Sequence, residues 1–182
     1  MVKIICEGKT DKKFIQILLK HLELPSNDSI FEIMRGKSSL LNVDNDKYNK
    51  LKQVFENRGV DKVLFITDSD DEKNDKTSGY ENTKENLNEL IDNLNWINNS
   101  DYYINCNPKT KDGYLESLIL STIPKNERVC IDNFLNCSRF KSKNNAKSII
   151  NQIYNLGYPN APYNFSHENF NELKSKLKEL FS

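Results

Sequence analysis

Glu7 and the pair Asp68-Ser69-Asp70 are the residues best suited to chemistry, because each stands where a short apolar run stops. Val2-Lys3-Ile4-Ile5-Cys6 leads into Glu7-Gly8-Lys9-Thr10-Asp11, and Val63-Leu64-Phe65-Ile66-Thr67 leads into Asp68-Ser69-Asp70. Runs of this kind, rich in β-branched and aromatic residues, read as buried strands of a parallel sheet. Ligand chemistry in such sheets sits outside the carboxyl ends of the strands. Carboxylates converging there would repel one another unless a positive group joined them. A hard divalent cation with oxygen ligands, magnesium or manganese, is the natural candidate.

Each acidic residue also has a plainer reading. Asp68 and Asp70 lie two apart, so on an extended chain they point the same way and reach one ion or one ion each of a pair. Asp71, Glu72 and Asp75 continue the run, as in a solvated acidic loop. An EF-hand is excluded, because Lys73 and Gly79 fall where Gly and Glu are needed. A haloacid-dehalogenase-type phosphatase fits poorly with Asp71 and Glu72 after the pair, and a glycosyltransferase D-x-D leaves Glu7 unexplained. Gly8-Lys9-Thr10 is no P-loop, since the upstream Gly would have to replace Lys3 inside the strand. Asp11 suits the start of a helix electrostatically and is also placed to assist a metal. Glu116, in Gly113-Tyr114-Leu115-Glu116, is either the wet face of a short helix or a further ligand. Lys141, Lys143 and Lys147 read as surface lysines, any of which could offset phosphate charge in a transition state.

The elements that must carry these residues alternate. Thr10 is a candidate N-cap for a helix through Phe14, Ile17, Leu18 and Leu22 that stops before Pro25. Phe31–Met34 reads as a strand leading to a turn over Arg35–Ser39. Tyr48, Leu51, Val54 and Phe55 mark a helix closed by Gly59. After the strand ending at Asp68 comes a polar loop over 71–82, a helix through Leu87, Leu90, Ile91 and Leu94, and a strand at Tyr102–Ile104. This order predicts an α/β, Rossmann-like fold with a four-stranded parallel sheet. Helices follow: Tyr114–Leu120, one from near Pro124, one over about 142–156 and one over about 166–181.

Lys plus Arg equals Asp plus Glu in these 182 residues, so net charge does not announce a polyanion partner. Its distribution is more telling: five acids fall within 68–75, whereas 139–182 carries seven Lys and Arg against three Glu. An acidic pocket beside a basic tail suits a metal-dependent nuclease, and solvated helix faces give the same asymmetry. Cys6, Cys106, Cys130 and Cys137 show no C-x-x-C spacing, and His21 and His167 lie far from them, which argues against zinc. No signal peptide or membrane-length apolar run is evident, so a cytoplasmic protein with reduced thiols, off the membrane, is expected.

Glu7-Gly8 after the first strand, with Asp68-x-Asp70 after a later one, resembles the Toprim domain of topoisomerases, bacterial primases, recombination proteins and OLD-type (overcoming lysogenization defect) nucleases. Glu7-Gly8-Lys9-Thr10-Asp11-Lys12-Lys13-Phe14 resembles the EGxTDxxF form of the OLD-type and stand-alone branch, and Gly113-Tyr114-Leu115-Glu116 its GxLE segment. The resemblance implies a Toprim catalytic core over 1–120 and a helical C-terminal extension over 121–182 packed on it. It implies that Glu7, Asp68 and Asp70 are catalytic metal ligands, with Asp11 and Glu116 helping to hold a second ion. A Lys after the sheet would join them; Lys147 is the first choice and Lys143 the next. Two magnesium or manganese ions about 3.5–4 Å apart would serve phosphodiester hydrolysis of DNA or RNA. The absence of a Walker motif leaves room for a separately encoded ATPase partner. Three alternatives stand beside this nuclease: a Toprim module acting only with that ATPase, an RNA-processing enzyme similar to the small Toprim maturase of 5S ribosomal RNA, and phosphoryl transfer on a free nucleotide.

Overall fold

The computed structural model describes residues 2–58, 62–70, 78–137, 149–150, 152–154, 156–157 and 163–182. Its centre is a sheet of β1 (Val2–Cys6), β2 (Phe31–Ile33), β3 (Lys62–Asp68) and β4 (Ser100–Asn105). The strands are all parallel and lie in the order β2-β1-β3-β4. Register sets Ile5 beside both Glu32 and Phe65, and Asp68 beside Asn105. The pleat then divides the apolar runs between two faces. Ile4, Cys6, Leu64 and Ile66 enter one core, and Ile5, Val63 and Phe65 enter the other. Burial on both faces is why these strands are written as near-continuous apolar runs rather than as an alternation.

Helix α1 (Lys9–His21) covers the first face, where Phe14, Ile15, Leu18 and Leu19 are buried. The opposite face is covered by α2 (Lys37–Leu41), α3 (Asp46–Arg58) and α4 (Tyr80–Asn93), through Leu40, Tyr48, Leu51, Leu87 and Leu90 around Trp96. The chain adds β2 on one side of β1, then returns across it to add β3 and β4. Crossovers of a single hand require that reversal to move the helices to the other face. The carboxyl ends of β1 and β3 are therefore a topological switch point, where a crevice opens between diverging connections. Glu7 follows β1 at that point, and Asp68 ends β3.

The later helices are α5 (Leu115–Ser121), α6 (Lys125–Cys137) and α7 (Asn171–Leu180). Leu118, Ile131, Phe170, Leu173 and Leu177 join the core of the first face. Phe14 is their anchor on α1: its ring meets Tyr163 at 4.8 Å and Phe165 at 5.7 Å between centroids, both edge-on. A side chain this size, fully buried, contributes about 1.5–3 kcal/mol. The Phe of the Glu7–Phe14 segment thus fastens the C-terminal part beside the residues that could do chemistry.

Several local expectations change. Gly8 rather than Thr10 precedes α1, because the Asp11 carboxylate accepts the Gly8 N–H at 2.9 Å and starts the helix earlier. The turn expected over 35–39 tightens at Arg35 and Gly36 (φ 66° and 128°) and then becomes helical at Lys37. Residues 80–82 belong to α4 rather than to a loop, and α7 begins only at Asn171, after a 3₁₀ turn at Glu168–Phe170. The cap expected at Gly59 lies outside the described residues. Of the helix expected over 142–156, residues 149–150, 152–154 and 156 are helical, as is 157 just beyond it; 142–148, 151 and 155 lie outside the described residues. Among the described residues, no helix is long and apolar enough to cross a membrane.

Candidate functional site

Glu7 is held by its neighbours on both sides. Its backbone N–H donates to the Ile66 carbonyl at 3.0 Å, and its own carbonyl accepts the Gly36 N–H at 3.0 Å. One carboxylate oxygen, Oε2, accepts the Thr67 hydroxyl at 2.7 Å and the Asp68 N–H at 3.3 Å. The side chain is therefore fixed across the β1–β3 gap at the switch point. Asp68 is buried and fixed in turn, its Oδ1 accepting the Leu115 N–H at 3.0 Å and the Asn105 amide at 3.2 Å. The same Asn105 amide donates to Asp11 Oδ1 at 3.3 Å. A single NH₂ group at the end of β4 thus spans the acid of β3 and the acid of α1.

Asp11, Asp68 and Glu116 are all less than a tenth exposed. Burial pushes the Asp11 carboxyl well above the usual range, and the charges of Asp68, Glu7 and Glu116 push it further against the pull of the Gly8 N–H. Asp11, in the first turn of α1, therefore feels the charges of the acids that follow β1, end β3 and open α5. The structure thus brings Glu7, Asp11, Asp68 and Glu116 to one end of the sheet. Asn105, which the sequence offered no reason to select, completes the group. It is 1 % exposed, and its Oδ1 has no hydrogen-bond partner among the described residues. An orphaned buried carbonyl oxygen costs about 1–3 kcal/mol, so its persistence calls for an explanation. Among the described residues, no three acidic, His or Cys side chains stand close enough together to close a metal cage.

Asp70 behaves differently from Asp68. The chain is not extended through the pair: Asp70 has φ 63°, in the left-handed region that Asp tolerates better than most residues. It forms an antiparallel bridge with Gly113, donating its N–H to the Gly113 carbonyl at 2.6 Å and accepting the Gly113 N–H at 3.2 Å. Its carboxylate lies 3.6 Å from the ammonium of Lys37. Lys37 also donates to the Ser69 carbonyl at 3.0 Å and the Thr83 hydroxyl at 2.7 Å. Burial lowers its pKa, opposed by the nearby charges of Asp70, Glu7 and Asp68. Lys37 is a residue the sequence hid, because a Lys in a Gly-Lys-Ser-Ser turn looks like solvent. The expected lysine, Lys147, lies outside the described residues, as do Lys141 and Lys143.

Left-handed non-glycine residues mark the same end of the sheet. Glu23 and Asn95 merely close α1 and α4, each with the paired backbone bonds of a Schellman turn. Arg35, Asp70 and Lys111 have no such excuse and sit in the loops after β2, β3 and β4. Backbone strain of about 1–3 kcal/mol per residue is retained mainly where a site requires it.

Beside Glu7 opens a groove of about 630 Å³, bordered by Lys9, Lys12, Glu32, Arg35 and Lys47. Lys12 pairs with Asp28 and Lys47 with Glu32, whereas Lys9 and Arg35 are exposed at the rim. The positive border of the acidic centre thus comes from the first half of the chain. Of the C-terminal lysines, Lys174 donates to the Phe165 carbonyl and Lys176 pairs with Asp101 near the start of β4, at the far end of the sheet.

No curated protein matches this chain, and no solved structure does. A family model does match, over residues 1–155, which takes in every element from β1 to α6 and so the whole acid cluster. The chain belongs to the DUF3226 family, described as proteins of unknown function.

Proposed function

We propose that this protein is a divalent-metal-dependent nuclease with a Toprim-like centre, hydrolysing phosphodiester bonds of DNA or RNA. The observation that carries the reading is the gathering of Glu7, Asp11, Asp68 and Glu116 at the switch point, close enough to raise the pKa of Asp11. Negative charge gathered in one partly buried place is what a cation relieves. The donors suit a hard ion in kind, since all four are carboxylates. Magnesium or manganese bound there would polarise a phosphoryl oxygen and acidify an attacking water.

The remaining work falls to the chain. Glu7, half-exposed and held by the Thr67 hydroxyl, would accept the proton of the attacking water. Asp68, braced by Leu115 and Asn105, keeps its orientation at no cost during reaction. Arg35 and Lys9 border the groove where a polyanion would lie. The four cysteines are unpaired, which suits a reducing cytoplasm.

The test is incubation of plasmid DNA, single-stranded DNA and structured RNA with magnesium or manganese, comparing wild type with Asp68→Ala and Glu7→Ala. Metal-dependent cutting lost in both folded variants supports the nuclease and chooses its polymer. Cutting of a structured RNA at one position alone would select the maturase-like reading. Retention of full activity by both variants would overturn the assignment.

A second reading rests on the lack of a closed cage among the described residues. It makes the protein a metal-binding module completed by a separate ATPase. Stoichiometric co-purification with an ATPase, and cleavage by neither alone, would favour it.

A further inference from the structure

The ammonium of Lys37 has three protons and three described partners: the Ser69 carbonyl, the Thr83 hydroxyl and the Asp70 carboxylate. Its side chain is 9 % exposed. A lysine saturated in this way is a fixed charge, not an arm free to follow a ligand. The tether is built from separate parts of the chain. Arg35 and Gly36 turn the backbone through positive φ so that α2 starts at Lys37, while Gly79 donates its N–H to the same Ser69 carbonyl at 2.8 Å. Thr83, one turn into α4, is fully buried.

The acids divide accordingly. Asp11 and Asp68 share the Asn105 amide, and Glu7 is tied to the backbone of Asp68. Asp70 instead faces Lys37 and is bridged to Gly113. We propose that Lys37 is a built-in second cation that takes Asp70 out of the metal ligands, and that Asp11, sharing the Asn105 amide with Asp68, joins it on one ion instead of holding a second with Glu116, so that the centre takes one divalent ion on the Glu7, Asp11 and Asp68 side. The inference rests on the reading of the acid cluster as a metal centre, and it replaces the two-ion expectation. An ammonium and a divalent ion set against one carboxylate repel each other, the more so because Lys37 is largely removed from solvent. Lys37 is thus a positioning residue, acting through Asp70.

Binding of Mn²⁺ to the full chain, counted by titration calorimetry and by loss of the free-ion EPR signal, tests this without any substrate. Wild type should bind one Mn²⁺. Lys37→Met, of similar length and uncharged, should bind two, and Lys37→Met/Asp70→Asn should return to one. Circular dichroism checks folding at each step. If Lys37→Met does not fold, Asp70→Asn decides alone. It should leave the single site weakened by less than the roughly tenfold typical of losing even a supporting partner, whereas Asp68→Asn should abolish it. Two ions on wild type, an unchanged count in a folded Lys37→Met, or loss of the site in Asp70→Asn would overturn the proposal while leaving the metal centre standing. No Mn²⁺ on wild type at all would overturn the metal reading and this inference with it.

Discussion

Asp68 accepts the backbone N–H of Leu115 at 3.0 Å, so the last residue of β3 caps the first turn of α5 across 47 positions of sequence. The acid at the centre is therefore also a structural joint. Asp68→Asn preserves an oxygen acceptor, whereas Asp68→Ala leaves the Leu115 N–H buried and unpaired, at about 1–3 kcal/mol. Asp68→Ala should lower the Tm by several degrees more than Asp68→Asn, and both should lose metal-dependent cleavage by at least about a hundredfold. Equal Tm values for the two would separate α5 from the site.

Metal should stabilise the folded chain. A ligand binding only the native state at a hundred times its Kd adds about 2.7 kcal/mol. Wild type should therefore show a magnesium- or manganese-dependent rise in Tm that Glu7→Gln and Asp68→Asn lack. A rise of equal size in those variants would place the ion elsewhere.

Asp11 gives a pH signature to the metal-free protein. Its carboxyl lies well above the 3.8 of a free Asp, chiefly through burial and then through Asp68 and Glu7. The native state thus holds this proton more tightly than the unfolded chain does. Its contribution is complete below about pH 3.8 and is lost as pH rises through the folded pKa. Asp11→Asn should remove that decline and be relatively more stable at neutral pH, as chemical denaturation at several pH values would reveal. A decline of unchanged slope in Asp11→Asn would assign it to another group.

Gly113 combines a φ of 95° with crowding, since an added Cβ would fall 2.2 Å from Ser117 Oγ and 2.8 Å from its Cβ. Gly113→Ala must displace either the bridge to Asp70 or the start of α5. A loss of about 1–3 kcal/mol in stability is expected, with cleavage impaired beyond what the lost stability explains. Cleavage at wild-type rate in this variant would detach the bridge from function.

The thiols should react in two classes. Cys130 and Cys137 are exposed, whereas Cys6 and Cys106 are buried. Burial pushes the Cys106 thiol from 9.0 up to about 11. A disulfide reagent near pH 8 should label two thiols at once and the other two only on unfolding. Rapid labelling of all four would mean that the end of β4 opens readily.

The sheet and its acids were legible in the residues for one reason. A parallel strand buried on both faces must be written as an apolar run, so its end, and the polar residue placed there, can be read directly. Glu7 and Asp68 were visible in that way, whereas Asp11 and Glu116 were singled out mainly by the resemblance of their segments to Toprim motifs. The strand order β2-β1-β3-β4, which makes the ends of β1 and β3 neighbours, was not legible, because long-range pairing leaves no local mark. Nor was the left-handed turn at Asp70 that separates it from Asp68. Lys37 and Asn105 carry no signal in sequence, since either residue type is ordinarily solvated. Only the tertiary structure decided that both are buried among carboxylates, because burial is a property of what packs around a side chain and not of the side chain itself.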